Sequence, residues 1–266
     1  MVDVIDAGVA LQERQMLMVP GYTETTAGDG SFYVTRYLGA LPDNVDPARP
    51  ASKKHRLAAQ AYLVEQPAHS VVPAHYHDTN QYQVFLNGTA TFGKQSIGPV
   101  TVHYASGHTP YGPIVTEGGV TYLTLRNCWD SGGKSMPQSR ATLQPVKRRF
   151  RMVEDIDIPD PGTARGATQD ALLPCEDDGL GVSRFTLGPN AASDLALPHA
   201  GTGRYAMVLA GTLTVKGETL GKASCLYIAE ERTAAVAGPS GAVVIVMQFP
   251  PETVPPSAVA QQIHQA

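Results

Sequence analysis

Val71-Val72-Pro73-Ala74-His75-Tyr76-His77-Asp78-Thr79-Asn80-Gln81-Tyr82-Gln83-Val84-Phe85-Leu86-Asn87-Gly88 is the stretch on which the fold turns. His75 and His77 are two residues apart. On an extended strand, positions i and i+2 face the same side, so both imidazoles can enter one cavity. Gln81 and Gln83 repeat that period, with Tyr82 on the other face. Neutral imidazole is the commonest side-chain ligand for divalent first-row metals. Two imidazoles and an amide oxygen would therefore make a partial metal shell. Asn87-Gly88 tolerates positive φ at both residues, which predicts a hairpin between Gln83–Leu86 and Thr89–Phe92.

Outward from this stretch the pattern stays strand-like. Short runs at Phe32–Tyr37, Ala59–Val64, Val100–Tyr104 and Val120–Leu125 are mostly bounded by Gly, Pro or Asn. After Cys128 the chain turns polar. A basic patch (Lys147, Arg148, Arg149, Arg151) and an acidic one (Glu154, Asp155, Asp157, Asp160) follow, and both are expected to be solvated linker. Strand signals resume at Val182–Leu187 and run to Phe249. The tail from Pro250 to Ala266 is rich in Pro, Gln and Ala, and is expected to end in a short helix or to fray.

Phe85-Leu86-Asn87-Gly88-Thr89-Ala90-Thr91 recurs as Val208-Leu209-Ala210-Gly211-Thr212-Leu213-Thr214. Each copy runs about thirty residues further, into the apolar strands Thr121–Leu125 and Val243–Phe249, which predicts two related halves. Gly and Pro make up 47 of the 266 residues, as many short strands require. The fold class expected is all-β, with one barrel over residues 1–145 and a second over 146–266.

The net charge of −4 and the absence of a basic face argue against nucleic acid and anionic membranes as partners. No apolar run approaches the ~20 residues that span a bilayer. The N-terminus has no cationic segment leading into an apolar core, so no signal peptide is expected. Cys128, Cys175 and Cys225 form neither a zinc pattern nor a disulfide framework, which fits a reducing cytoplasm.

His-x-His, three residues, an oxygen-bearing side chain, six residues and then Gly88 resembles the first motif of the cupin superfamily. That motif normally carries Glu where this chain has Gln81. The second cupin motif has a Pro-x-Gly turn followed by a metal-binding His. The corresponding stretch, Val102 to Pro113, keeps Gly107 but has Ala105 for the turn Pro. Pro110 and Tyr111 stand where the His would be, and His103, His108 or Tyr111 could stand in for it. The resemblance implies tandem jelly-roll barrels, with His75, His77, Gln81 and His103 or His108 around a divalent metal. Iron(II) comes first, with manganese(II), nickel(II) and zinc(II) as the other ions that fit. A neutral amide in place of Glu leaves the site one negative charge short.

The reaction implied first is an iron(II)-dependent dioxygenase acting on a small organic molecule. In it Gln81 or Gln83 orients a bound oxygen and Tyr111 moves a proton. A metal-dependent isomerase or lyase acting on a sugar or keto acid is the second class, and a non-catalytic small-molecule-binding bicupin the third. Strand exchange between cupins implies a homodimer. In the second half, aligning Gly211 with Gly88 sets Arg204 opposite Gln81, with Pro198 and Ala200 opposite the two histidines and His199 between them. Arg offers no lone pair to a metal. That barrel is expected to be structural or, second, to hold an anion at Arg204. His55, His69 and His264 carry no spacing signal.

Overall fold

The period of two is realised along the quoted stretch, but the chain is paired differently from a hairpin. The computed structural model describes residues 2–17, 32–43, 58–229 and 232–254, and of Leu17 the backbone only. His55, His264 and the end of the tail lie outside the described residues. The chain forms two units. One comprises residues 13–156 with the stretch from Glu252. The other comprises residues 2–12 with 157–251. The first strand, β1 (Val2–Ile5), thus belongs to the second unit. No helix among the described residues is long and apolar enough to cross a membrane.

In the unit of residues 13–156 the strands are β2 (Arg14–Leu17), β3 (Phe32–Leu38), β4 (Gln60–Gln66), β5 (Ser70–Val72), β6 (His75–Tyr76), β7 (Gln81–Gly88), β8 (Ala90–Phe92), β9 (Gln95–Ile97), β10 (Thr101–Ala105), β11 (Ile114–Thr116), β12 (Val120–Arg126), β13 (Lys134–Ser135) and β14 (Phe150–Val153). One sheet runs β14-β10-β7-β12-β4-β3-β2 and the other β5-β11-β8-β9, with β6 paired to β13. All pairings are antiparallel. Phe85, Phe92, Val72, Ile114, Val64 and Tyr122 belong to the buried core cluster of this unit.

The hairpin expected at Asn87-Gly88 is not formed. β7 pairs with β10 and β12, whereas β8 pairs with β11 and β9, so the chain changes sheet at this point. Gly88 sits at φ +76°, and a Cβ on it would lie 2.1 Å from the carbonyl oxygen of Gly119. Glycine is needed here for a close backbone crossing and not for a two-residue turn. Gly88→Ala is expected to cost at least about 2 kcal/mol, read as a lowered denaturant midpoint at unchanged slope.

The linker reading of the basic patch is likewise corrected. Phe150–Val153 is β14, in register with β10 (Val102↔Val153, Ala105↔Phe150). Arg149 donates its backbone N–H to Ser106 Oγ (2.8 Å), and Arg148 donates its Nε–H to the His108 carbonyl (3.0 Å). An edge strand with one solvated side gives charged residues a place, so charge density alone did not mark a loop.

The second unit adds β15 (Ala167–Leu173), β16 (Gly181–Leu187), β17 (Ala192–Ser193), β18 (Arg204–Val215), β19 (Glu218–Leu220), β20 (Cys225–Ile228) and β21 (Ala235–Gln248). Its sheet order is β1-β20-β18-β21-β16-β15, with β17 on β21 and β19 on β18. The internal repeat is visible in the backbone. Gly211 has φ +71°, and its Cβ would lie 2.0 Å from the Gly241 carbonyl oxygen. Gly88 pairs with Val120, and Gly211 pairs with Ala242, so both crossings have the same construction.

A buried histidine, tyrosine and arginine cluster as candidate functional site

Four strands of the first unit send alternate side chains to one face. β7 supplies Gln81, Gln83 and Phe85, β10 supplies His103, β12 supplies Arg126 and Tyr122, and β4 supplies Gln60 and Tyr62. The registers His103↔Gln83, Tyr122↔Phe85 and Arg126↔Gln60 bring these residues side by side. Phe85 and Tyr122 enter the apolar core, and the polar residues cluster at the other end of the same strands. His75, on β6, is bridged to Tyr111 through backbone bonds in both directions (3.1 and 3.0 Å).

The rings gather around Tyr111. Its centroid lies 4.6 Å from that of His75, 4.9 Å from that of His103 and 6.3 Å from that of His77. His75 and His77 are 5.2 Å apart, edge to face. Gln81 Nε2 donates to the Tyr111 hydroxyl in a short hydrogen bond. Gln83 is tied to His103 through its Oε1 (3.0 Å). His108 is not in the cluster. Its ring packs on Tyr76, which leaves the strand on the face opposite His75, and its Nε2 lies 3.7 Å from Asp78 Oδ1.

Each clustered imidazole has its Nδ1 held by an acceptor. His75 Nδ1 meets the Pro73 carbonyl (2.7 Å), His77 Nδ1 meets Asp130 Oδ1 (2.7 Å), and His103 Nδ1 meets Gln83 Oε1. An acceptor at Nδ1 fixes the proton there and puts the lone pair on Nε2. All three rings are neutral. Burial pushes the His75 pKa down to about 4, with Arg126 adding to it. Burial and Arg126 push His77 to about 3, and burial and the neighbouring His75 push His103 to about 3. Burial raises the Tyr111 phenol well above its ordinary value, so it is a proton donor and not a base.

Arg126 is the residue that the sequence reading missed. It is fully buried, and its guanidinium occupies the centre of the polar end. Nη1 donates to Gln60 Oε1 (2.8 Å) and the Tyr62 hydroxyl (3.0 Å). Nη2 donates to Gln81 Oε1 (2.7 Å) and lies 3.2 Å from His77 Nε2. Asp130, also buried, is the counter-charge. It accepts from His77, from the backbone N–H groups of Asp78, Thr79 and Gly132, and from the Thr79 hydroxyl. Burial opposes its ionisation, but His77 and Arg126 outweigh burial and hold it well below the usual carboxylate range.

This arrangement bears on the metal expected from the motif. Two of the expected donors, His77 Nε2 and Gln81 Oε1, already face a guanidinium nitrogen. Among the described residues no group of three or more His, Cys, Asp or Glu side chains is placed to hold a metal ion. A dication beside Arg126 would be repelled in a low-dielectric interior. As arranged, the residues do not fit a metal bound by His75, His77 and Gln81 together. The orphaned Nε2 of His103 is a feature that favours an electrophile here.

No family model matches the chain, and no curated protein matches it. Solved structures do. A dioxygenase candidate from Nostoc punctiforme superposes with TM-score 0.63 at 13% identity, covering 96% of this chain and 85% of that one. The pirin YhhW of Escherichia coli, in complex with nickel(II), gives 0.55 at 13% identity over 94% and 100% of the two chains. A mutant of the Bacillus subtilis oxalate decarboxylase OxdC gives 0.50 at 10% identity over 94% and 84%. At such identities the likeness carries the fold and leaves the reaction open. With two barrels along one chain and its sheets so ordered, the chain has an all-β fold of tandem jelly-roll (cupin) barrels, the fold of these solved structures.

Proposed function

We propose that the first barrel binds a hydroxyl-bearing small organic molecule against His75, His103 and Tyr111, with Arg126 supplying the positive charge that a metal would otherwise bring. The observation that carries this reading is the His103 Nε2 atom. It is fully buried, its ring's other nitrogen is committed to Gln83, and it has no hydrogen-bond partner among the described residues. A buried acceptor left unmade costs about 1–3 kcal/mol. A ligand hydroxyl donating to it would remove that cost. Neutral imidazoles of such low basicity accept hydrogen bonds and do not strip protons from carbon, so binding and orientation are the primary roles. Tyr111 is the group able to donate a proton to a bound oxygen.

A second reading has support of its own. Three imidazoles with lone pairs on Nε2 are the tautomers that metal binding requires, and the nickel-bound pirin shares the fold. In that reading a divalent ion, iron(II) first, sits at His75 and His103, and Arg126 swings away from His77 and Gln81. The ion would supply oxygen activation, as expected of an iron(II)-dependent dioxygenase.

Metal analysis and catechol titration separate the two. Protein purified without chelator is expected to hold far less than one equivalent of iron, manganese, nickel or zinc. It is expected to bind catechol, read by calorimetry, with about tenfold weaker binding in His103→Phe. One equivalent of metal that disappears in His75→Ala would replace the first reading with the second. Identical catechol affinity in His103→Phe would remove the first reading.

A further inference from the structure

The His103 ring is walled by three others. Its centroid is 4.6 Å from that of Phe92, 4.9 Å from that of Tyr111 and 4.7 Å from that of Phe150. Two of these walls are fixed. Phe92 and Tyr111 stack on each other at 5.6 Å, and both are buried members of the core cluster. Phe150 differs from them. It is a large apolar side chain left 38% exposed, and it is the first residue of β14, at the outer edge of its sheet.

The backbone explains why this ring stands where it does. Phe150 is in register with Ala105, and Met152 is in register with His103. Strand alternation then sends Phe150 and Met152 to the face that carries His103 and Ala105. Met152 packs against the core cluster. Opposite Phe150 stands the single methyl group of Ala105, which leaves the ring room to turn. The main chain beside it is held. Ser106 donates its N–H to the Arg149 carbonyl (2.9 Å), and Arg149 donates its N–H to Ser106 Oγ (2.8 Å). Movement is thereby confined to the side chain, and exposed side chains change rotamer within nanoseconds.

His103 itself is fully buried, whereas a ligand hydroxyl has to reach its Nε2. Gln83 holds the imidazole at Nδ1, which keeps the ring from swinging out to meet a ligand. Of the three walls, the one at the surface is therefore the one that can yield.

We propose that Phe150 is the gate of the first-barrel site: its ring rotates off His103 to admit a small organic ligand and closes over it afterwards. The proposal rests on the reading of His103 Nε2 as the ligand's acceptor. A closing phenyl ring returns apolar surface over the ligand and keeps water from the site.

Diethyl pyrocarbonate acylates unprotonated imidazole nitrogens, and peptide mass spectrometry on the full chain follows each histidine separately with no ligand present. His69, whose side chain is 51% exposed, is the reference. In the wild type, His103 is expected to react at least about tenfold more slowly than His69. Phe150→Ala is expected to raise the His103 rate by about tenfold, and Phe150→Leu by about threefold, with His69 unchanged. Catechol association and dissociation, followed by stopped-flow fluorescence, should both accelerate at least about fivefold in Phe150→Ala. Circular dichroism checks that each variant is folded. Should Phe150→Ala fail to fold, Phe150→Leu decides alone. An unchanged His103 rate, an equal rise at His77 that marks general loosening, or unchanged catechol kinetics would overturn the gate. Catechol affinity unchanged in His103→Phe removes the ligand reading and leaves the acylation result standing, so the two fail separately.

Discussion

Arg126→Ala is expected to destabilise the first barrel by about 3–5 kcal/mol, the usual penalty for removing one partner of a buried charge pair. The substitution strands several groups at once. Gln60 Oε1, the Tyr62 hydroxyl and Gln81 Oε1 each lose a charge-assisted donor in a site closed to bulk water. Asp130 keeps its backbone donors but loses the nearest full positive charge. Arg126→Lys keeps the charge and loses the fork, so an intermediate loss is expected. Urea or guanidinium denaturation reads both. The same variant carries a second expected result. With the guanidinium gone, His77 Nε2 and Gln81 Oε1 lose their nearest donor, and nickel(II) should raise the melting temperature of Arg126→Ala more than that of the wild type. A loss of stability below about 1 kcal/mol would contradict the network drawn around Arg126.

The second large effect is on acid stability. His75, His77 and His103 titrate at about 4, 3 and 3 in the folded chain, against an ordinary 6.5. Below pH 6.5 the unfolded chain therefore takes up three protons that the folded chain refuses. Stability contributed by these rings is present above pH 6.5 and is lost as pH falls towards 4. Glu252 acts in the opposite sense. Burial raises it from 4.5 to about 7, although its Oε2 accepts from the Asn80 backbone N–H (2.8 Å). Between pH 4.5 and 7 the folded chain holds a proton there that the unfolded chain has lost, so stability falls as pH rises through that window. Three imidazoles outweigh one carboxyl. The net loss from pH 6.5 to 4.5 is on the order of 3–5 kcal/mol, at 1.36 kcal/mol per proton per pH unit. Denaturant midpoints across this range, with chelator present, should fall steeply with acid. Glu252→Gln should steepen the slope by one proton, and a flat profile in wild type would refute the neutral, buried state of the three rings.

How much of this was legible in the sequence depends on the kind of signal. Strand positions were legible because period-two alternation and Gly or Pro boundaries are local. Phe32–Tyr37, Val100–Tyr104 and Val182–Leu187 lie within or at most one residue outside strands of the structure. The inward direction of His75, His77, Gln81 and Gln83 followed from the same period. Asn87-Gly88 misled because a positive φ serves a hairpin turn and a sheet crossing equally well, and only the partner strand distinguishes them. Arg126 was invisible for another reason. It is the last residue of an apolar strand, where a charged residue ordinarily marks the exit to solvent. Its partners Gln60 and Asp130 are 66 residues before it in chain order and four after it. Asp130 was hidden in a polar stretch that carries no period. A single Arg closing a run of alternating buried residues, with a second apolar strand ending in Gln248 at the matching position of the repeat, was the signal available.

The placement of β1 has a consequence for dissecting the gene. Val2–Ile5 pair with Ile228–Cys225, and so flank β20 in the unit of residues 157–251. A fragment cut near residue 145 would leave β20 with a bare row of N–H and C=O groups on a remnant the size of one small domain. Such an uncovered rim is a template for intermolecular strand addition. Fragments meant to isolate the C-terminal barrel should therefore precipitate or form ladders of cross-linked species. Supplying residues 2–12 as a peptide, or joining them behind residue 251 through a flexible tether, should return them to the monomeric fraction.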